Sequence, residues 1–178
     1  DLARIGNARF VWLIRNPWDC ISSLMAWKWY RSPHEIGGGD VFANNRPTAP
    51  MAGEMSPEQW YGLPKLGKCA WYWRFLNLRI EEQLAKLNED AWIRIRLEDW
   101  SPATAHAVLR FVSSVDREPA AVELPRMNRG RWDEERPKWT KDEVALVQDV
   151  AGKTLRRWYA EGRFKSPAAM EKSVVGSR

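Results

Sequence analysis

The chain has 178 residues, with 28 Lys+Arg against 23 Asp+Glu, a net charge of +5, and 44% hydrophobic residues. That length suits one domain with a sizeable core, and the balance excludes a wholly disordered or collagen-like chain. Two cysteines, Cys20 and Cys69, are too few for a disulfide framework or a four-cysteine zinc site, and the longest uncharged apolar run, Phe10–Ile14, is too short to cross a membrane.

The first element is the most informative. Phe10-Val11-Trp12-Leu13-Ile14, flanked by Arg9 and Arg15, reads as a strand over 9–15 covered on both faces, as in the centre of a parallel sheet. Asn16-Pro17 follows at once. Asn16 is a helix-capping residue, Pro17 suits the first helical position, and Asp19 lies where a carboxylate offsets the positive end of a helix. Ile21, Leu24, Met25 and Lys28 keep helical spacing, so the spacing predicts a helix over 17–30 after a very tight turn.

Residues 31–57 carry Ser32-Pro33, Gly37-Gly38-Gly39, Arg46-Pro47 and Ala49-Pro50 and hold no periodicity. So long a connection reads as a lid or substrate loop, with a merely mobile insertion as the alternative. Leu66, Ala70, Trp73, Leu76, Ile80, Leu84 and Leu87 then form an apolar stripe along a helix over 66–87. Ala91 to Leu97 alternates with period two, setting Ile93, Ile95 and Leu97 on one face and Trp92, Arg94 and Arg96 on the other, as in a strand near a sheet margin. Pro102 opens a shorter helix expected to bury Ala105, Val108, Leu109 and Val112. Residues 116–139 are irregular and basic, with Arg126, Arg129, Arg131, Arg136 and Lys138. Thr140 and Glu143 form a capping box before a last helix carrying Val144, Val147, Ala151, Leu155 and Trp158. The organisation expected is one partial domain over 1–163 and a weakly ordered tail over 164–178. Most of the twelve tryptophans should be core or amphipathic anchors.

Two places suit an anion. Arg15 leaves the carboxyl end of the first strand, where α/β folds bind ligands, and the following helix offers free N–H groups. Ser23, two turns into that helix, can meet the same anion, whereas Ser22 points about 100° away. In Asn128-Arg129-Gly130-Arg131-Trp132, the Arg129 guanidinium and the backbone N–H of Gly130 form a second phosphate-binding candidate. An ordinary ion pair at Arg15 and a basic surface loop at Arg129 are the competing readings. Metal chemistry finds no recognisable spacing around His34, Glu35 or His106. Cys69, Cys20 and His106 read as structural, His34 as a minor proton-transfer candidate, and Glu98 and Asp99 as anchors for loop backbone or basic side chains.

The segment Arg9 to Leu24, with Arg15-Asn-Pro, Asp19 and Ser23, resembles the strand and helix that bind the donor's 3′-phosphate in sulfotransferases using 3′-phosphoadenosine 5′-phosphosulfate. Ile95-Arg-Leu-Glu-Asp-Trp100 is similar to that family's later strand ending in Arg-Tyr-Glu-Asp-Leu. Asn128 to Trp132 resembles its late basic-Gly segment, and the helix from Trp139-Thr140 its closing helix. The order of the segments also agrees. The resemblance implies a P-loop-type three-layer α/β/α fold with a mainly parallel sheet, in which Arg15, Ser23, Arg129 and Gly130 hold the 3′-phosphate. It implies transfer of a sulfuryl group to an acceptor hydroxyl or amine of unknown class.

Leu97 departs from the family's frequent Tyr, and the register beyond Gly130 is compressed. Only Asp1 to Ala8 precede the first strand, where the family has its 5′-phosphosulfate loop and, commonly, its catalytic base. The expectation is therefore a chain truncated at its N-terminus, covering the later half to two-thirds of a complete enzyme, with an exposed sheet edge open to self-association. A cytoplasmic location, no membrane segment and no nucleic-acid partner are also expected. The alternatives are another P-loop-type phosphotransferase, such as a nucleotide kinase, or a non-enzymatic basic module binding RNA or protein.

Overall fold

Two short parallel strands and five α-helices organise the residues described by the computed structural model, which are 8–26, 29–30, 46–113 and 139–159. In chain order these are β1 (Phe10–Ile14), α1 (Pro17–Ala26), α2 (Pro57–Gly62), α3 (Lys65–Leu84), β2 (Trp92–Arg96), α4 (Pro102–Ser113) and α5 (Lys141–Tyr159). The class is mixed α/β. The sheet pairs β1 with β2 in register from Phe10↔Trp92 to Ile14↔Arg96. No helix among the described residues is long and apolar enough to cross a membrane.

The chain divides into two compact units. The first contains the described residues of 1–16 and 80–136, and the second those of 17–79 and 137–161. In the first unit the sheet face carrying Trp12 and Ile14 is closed, these being 5% and 1% exposed. Register sets Arg94 beside Trp12, and its guanidinium lies 5.5 Å from that ring centre. Arg94 is also 3.9 Å from Glu81, which ties the last turn of α3 to β2. At the start of β1, Arg9 donates to the Phe111 carbonyl of α4 and lies over that ring at 5.4 Å.

The expectation that β1 is covered on both faces fails at Leu13, which is 52% exposed although its register partner Ile95 is 3% exposed. Among the described residues the sheet has no third strand, so β1 has one neighbour only. Leu97 also leaves the alternation. It opens a 3-10 turn, Leu97–Asp99, and stands 44% exposed rather than continuing the face of Ile93 and Ile95.

The α4 face is rotated from the one expected. Leu109 and Val112 are both 45% exposed, and the buried residue is Thr104. Its hydroxyl donates to the Asp99 carbonyl at 2.9 Å, and its N–H donates to Ser101 Oγ at 3.1 Å. With both polar groups bonded, Thr104 can face inward. Val108 and Phe111, four and seven residues on, then share its side and are half-buried.

The second unit is built on α3. Leu66, Cys69, Ala70, Trp71 and Trp73 are buried along its first half, and so is Lys68, whose ammonium lies 5.3 Å from the Trp60 ring centre. Burial therefore extends well beyond the stripe expected, and Ile80 within that stripe is 37% exposed. A side chain at Gly67 would meet Leu63 at 2.7 Å, so glycine lets the preceding turn approach the helix. The helix ends at Leu84, short of Leu87. Its continuation tightens, with Lys86 and Leu87 donating to the carbonyls of Gln83 and Leu84.

α1 runs over Pro17–Ala26, and Trp29 and Tyr30, inside the helix expected over 17–30, lie in a turn. Tyr30 has φ 49°, a left-handed conformation that ends helical progression. Its hydroxyl donates to the Pro47 carbonyl at 2.8 Å, and its ring meets Trp60 edge-on at 5.4 Å. Lys65 donates to the Met25 carbonyl at 2.7 Å, joining α3 to α1. Trp18 meets Trp139 at 5.4 Å, and Trp73 meets Trp158 at 5.7 Å, joining α1 and α3 to the α5 segment. The ten described tryptophans are all buried or half-buried, in agreement with the anchoring role expected.

Candidate functional site

Arg15 follows β1 directly and is exposed at the carboxyl end of the parallel pair. The last register pair is Ile14↔Arg96, so two guanidinium-bearing residues stand at this end of the sheet. Arg96 is engaged by carboxylates, its Nε lying 3.3 Å from Asp99 Oδ2 and 3.9 Å from Glu98 Oε2. Glu98 Oε1 accepts the backbone N–H of Asn16 at 2.5 Å. The 3-10 turn after β2 thus ties down the turn after β1. This bears out the reading of Glu98 and Asp99 as anchors of loop backbone and basic side chains.

Two physical features make the carboxyl end of this pair suitable for an anion. In α/β folds, ligands bind outside the carboxyl ends of parallel strands. The Arg15 guanidinium presents several donors in one plane. The Glu98 and Asp99 carboxylates would oppose an anion, and Arg96, paired with both, offsets part of that charge.

Ser23 lies on α1 and is half-buried. Its neighbour Ser22 is 9% exposed and donates to the Trp18 carbonyl at 2.7 Å, so that hydroxyl serves its own helix. This separates the two serines in the sense expected. Arg15 belongs to the first unit and Ser23 to the second. Arg129 and Gly130 lie outside the described residues, as do Arg126, Arg131, Arg136, Lys138, His34, residues 31–45 of the expected lid and the tail over 164–178.

The described part of the 31–57 segment is tied to the second unit. Glu54 accepts from Trp71 Nε1 at 3.0 Å and pairs with Arg74, both on α3. Gly53, with φ 70°, turns the chain before it. Arg46 lies 4.3 Å from the Trp29 ring centre, and Trp29 meets Tyr72 edge-on at 4.9 Å. Burial pushes the Tyr72 hydroxyl above its ordinary value, while Arg46 pulls in the opposite direction. Cys69 is buried, as expected, whereas Cys20 is only half-buried. His106 is half-buried on α4. Among the described residues, no group of three or more His, Cys, Asp or Glu could hold a metal ion.

The contact the sequence left unassigned is the one between Asn16 and Glu98. Its partners are 82 positions apart, and no local spacing joins them. The alternation over Trp92–Arg96 fixes the face of each strand residue but not the partner of a carboxylate one turn beyond. No model of a known protein family, no curated protein and no solved structure matches this chain.

Proposed function

We propose that this chain carries the 3′-phosphate-binding part of the donor site of a sulfotransferase, in a P-loop-type three-layer α/β/α fold. The donor is 3′-phosphoadenosine 5′-phosphosulfate, and the acceptor is a hydroxyl or an amine. The observation that supports this reading is the position of Arg15. Its exposed side chain ends a parallel strand, and α1 opens two residues later at Pro17. Arg15 binds the 3′-phosphate through charge-assisted hydrogen bonds, and the resemblance alone adds Ser23. The resemblance also adds Arg129 and Gly130.

The bound donor supplies the sulfuryl group. In the transfer, the bond between sulfur and the 5′-phosphate oxygen breaks as a new bond forms between sulfur and the acceptor oxygen or nitrogen. The acceptor's proton passes to a general base, and the electron pair of the broken bond stays on the leaving phosphate. The task of Arg15 is to hold the far end of the nucleotide, so that the reacting end is fixed in position.

The test is calorimetric titration with adenosine 3′,5′-bisphosphate and with adenosine 5′-monophosphate. Arg15→Ala is expected to weaken the bisphosphate by about a hundredfold, the upper range for hydrogen bonds to a charged group. Affinity for the monophosphate, which has no 3′-phosphate, should stay the same. Equal affinities of parent and variant for the bisphosphate would overturn the proposal. A preference for ATP with Mg²⁺ would overturn it in favour of phosphoryl transfer.

A further inference from the structure

We propose that Glu98 is a positioning residue for Arg15, acting through the backbone of Asn16. The inference deepens the function proposed above and rests on Arg15 being the group that binds the 3′-phosphate.

Asn16 is the only residue between Arg15 and the helix that starts at Pro17. Proline restricts the backbone of the residue before it, so Asn16 is confined from its carboxyl side. Its N–H, on the other side, donates to Glu98 Oε1 at 2.5 Å. The peptide unit linking Arg15 to Asn16 is therefore held in orientation by a carboxylate from the turn after β2. That peptide sets the ψ angle of Arg15 and hence, with φ set by the strand, the direction of its side chain relative to the turn.

The carboxylate also belongs to a cluster of ion pairs. Its second oxygen faces Arg96 Nε at 3.9 Å, and Arg96 is drawn to Asp99 at 3.3 Å. Arg96 belongs to β2 and is register partner of Ile14, the residue before Arg15. Sheet pairing and side-chain bonds thus locate the same corner from two directions, and all the residues concerned lie in the first unit. The arrangement also assigns the donors. The Asn16 N–H is occupied by Glu98, so an anion at this corner is met by the Arg15 guanidinium rather than by that amide. Holding Arg15 in place before binding reduces the ordering that a ligand would otherwise impose.

The experiment measures both nucleotides on Glu98→Ala and Glu98→Gln, each also combined with Arg15→Ala. Glu98→Gln retains an oxygen acceptor for the Asn16 N–H and should keep most of the bisphosphate affinity. Glu98→Ala removes the acceptor and should weaken the bisphosphate about fivefold, the worth of one net hydrogen bond, with the monophosphate unaffected. In the Arg15→Ala background, Glu98→Ala should have no further effect, because the residue through which it acts is gone.

Several results would overturn the inference. Tighter bisphosphate binding by both Glu98 variants would make the carboxylate a source of repulsion only. An equal loss for both nucleotides would make its role generally structural. A Glu98→Ala loss that persists undiminished without Arg15 would show that it acts elsewhere. If Arg15→Ala alone has no effect, the donor-site reading fails first. If Arg15→Ala weakens the bisphosphate and Glu98→Ala does not, only the positioning role fails.

Discussion

Cys69 has no exposed surface on α3, and burial pushes its thiol from 9.0 up to about 12, against the opposing pull of the Lys65 ammonium. The raised value makes the folded thiol hold its proton more tightly than the unfolded one. Its contribution to stability is thus complete below pH 9 and is lost as pH rises from 9 towards 12. Thermal melts should show this as a steeper alkaline decline of Tm in the parent than in Cys69→Ala; identical slopes would refute it. Glu54 offers a second residue-level test. It accepts the indole N–H of fully buried Trp71, so Glu54→Ala leaves that donor unsatisfied and should destabilise the fold by about 1 kcal/mol in urea titration. The accompanying pair with Arg74 adds little, because both side chains remain partly in water.

Helix ends separate what the sequence discloses from what it withholds. Thr140 and Glu143 were legible as a capping box, and the structure has both bonds, with Thr140 N donating to Glu143 Oε2 at 2.8 Å and Glu143 N to Thr140 Oγ1 at 3.2 Å. Ser56 and Gln59 carry the same signature before α2, with bonds of 2.8 and 3.2 Å, but α2 has only six residues and too few positions to display an apolar period. Its capping pattern was the available signal. Ser56→Ala and Thr140→Ala should each cost about 1 kcal/mol, and Ser56→Asp should retain the α2 cap. Unchanged urea midpoints for both alanine variants would remove the caps from the account of stability. The end of α3 was less legible, because apolar spacing continues to Leu87 through a backbone that has already left the helix. On α4 the apolar pattern selected Leu109 and Val112, whereas the bonds made by Thr104 decide which side is buried. In sequence, a polar residue satisfied by the residues just before its helix looks like one facing water.

At the scale of the whole molecule, each of the two strands was legible by itself, but their parallel pairing, their register and the tie between Asn16 and Glu98 depend on three-dimensional structure. The charge of +5 and pI of about 9.4 attract anions of every kind, so a net charge cannot distinguish a nucleotide site from a surface that gathers RNA. Salt can. A single strand contacting several phosphates releases counterions, and log K falls with log salt by about 0.7 for each phosphate neutralised. A site built around Arg15 engages one 3′-phosphate and should have a correspondingly shallow slope. Titrations of adenosine 3′,5′-bisphosphate and of a single-stranded oligonucleotide over the same salt series should therefore diverge, the oligonucleotide losing affinity much faster. Arg15→Ala should lower the nucleotide curve throughout and leave the oligonucleotide slope almost unchanged, since one charge among many is removed. If the oligonucleotide remains bound at high salt while the bisphosphate fails to displace it, stacking on the tryptophans would replace nucleotide recognition as the explanation of the chain's basic character.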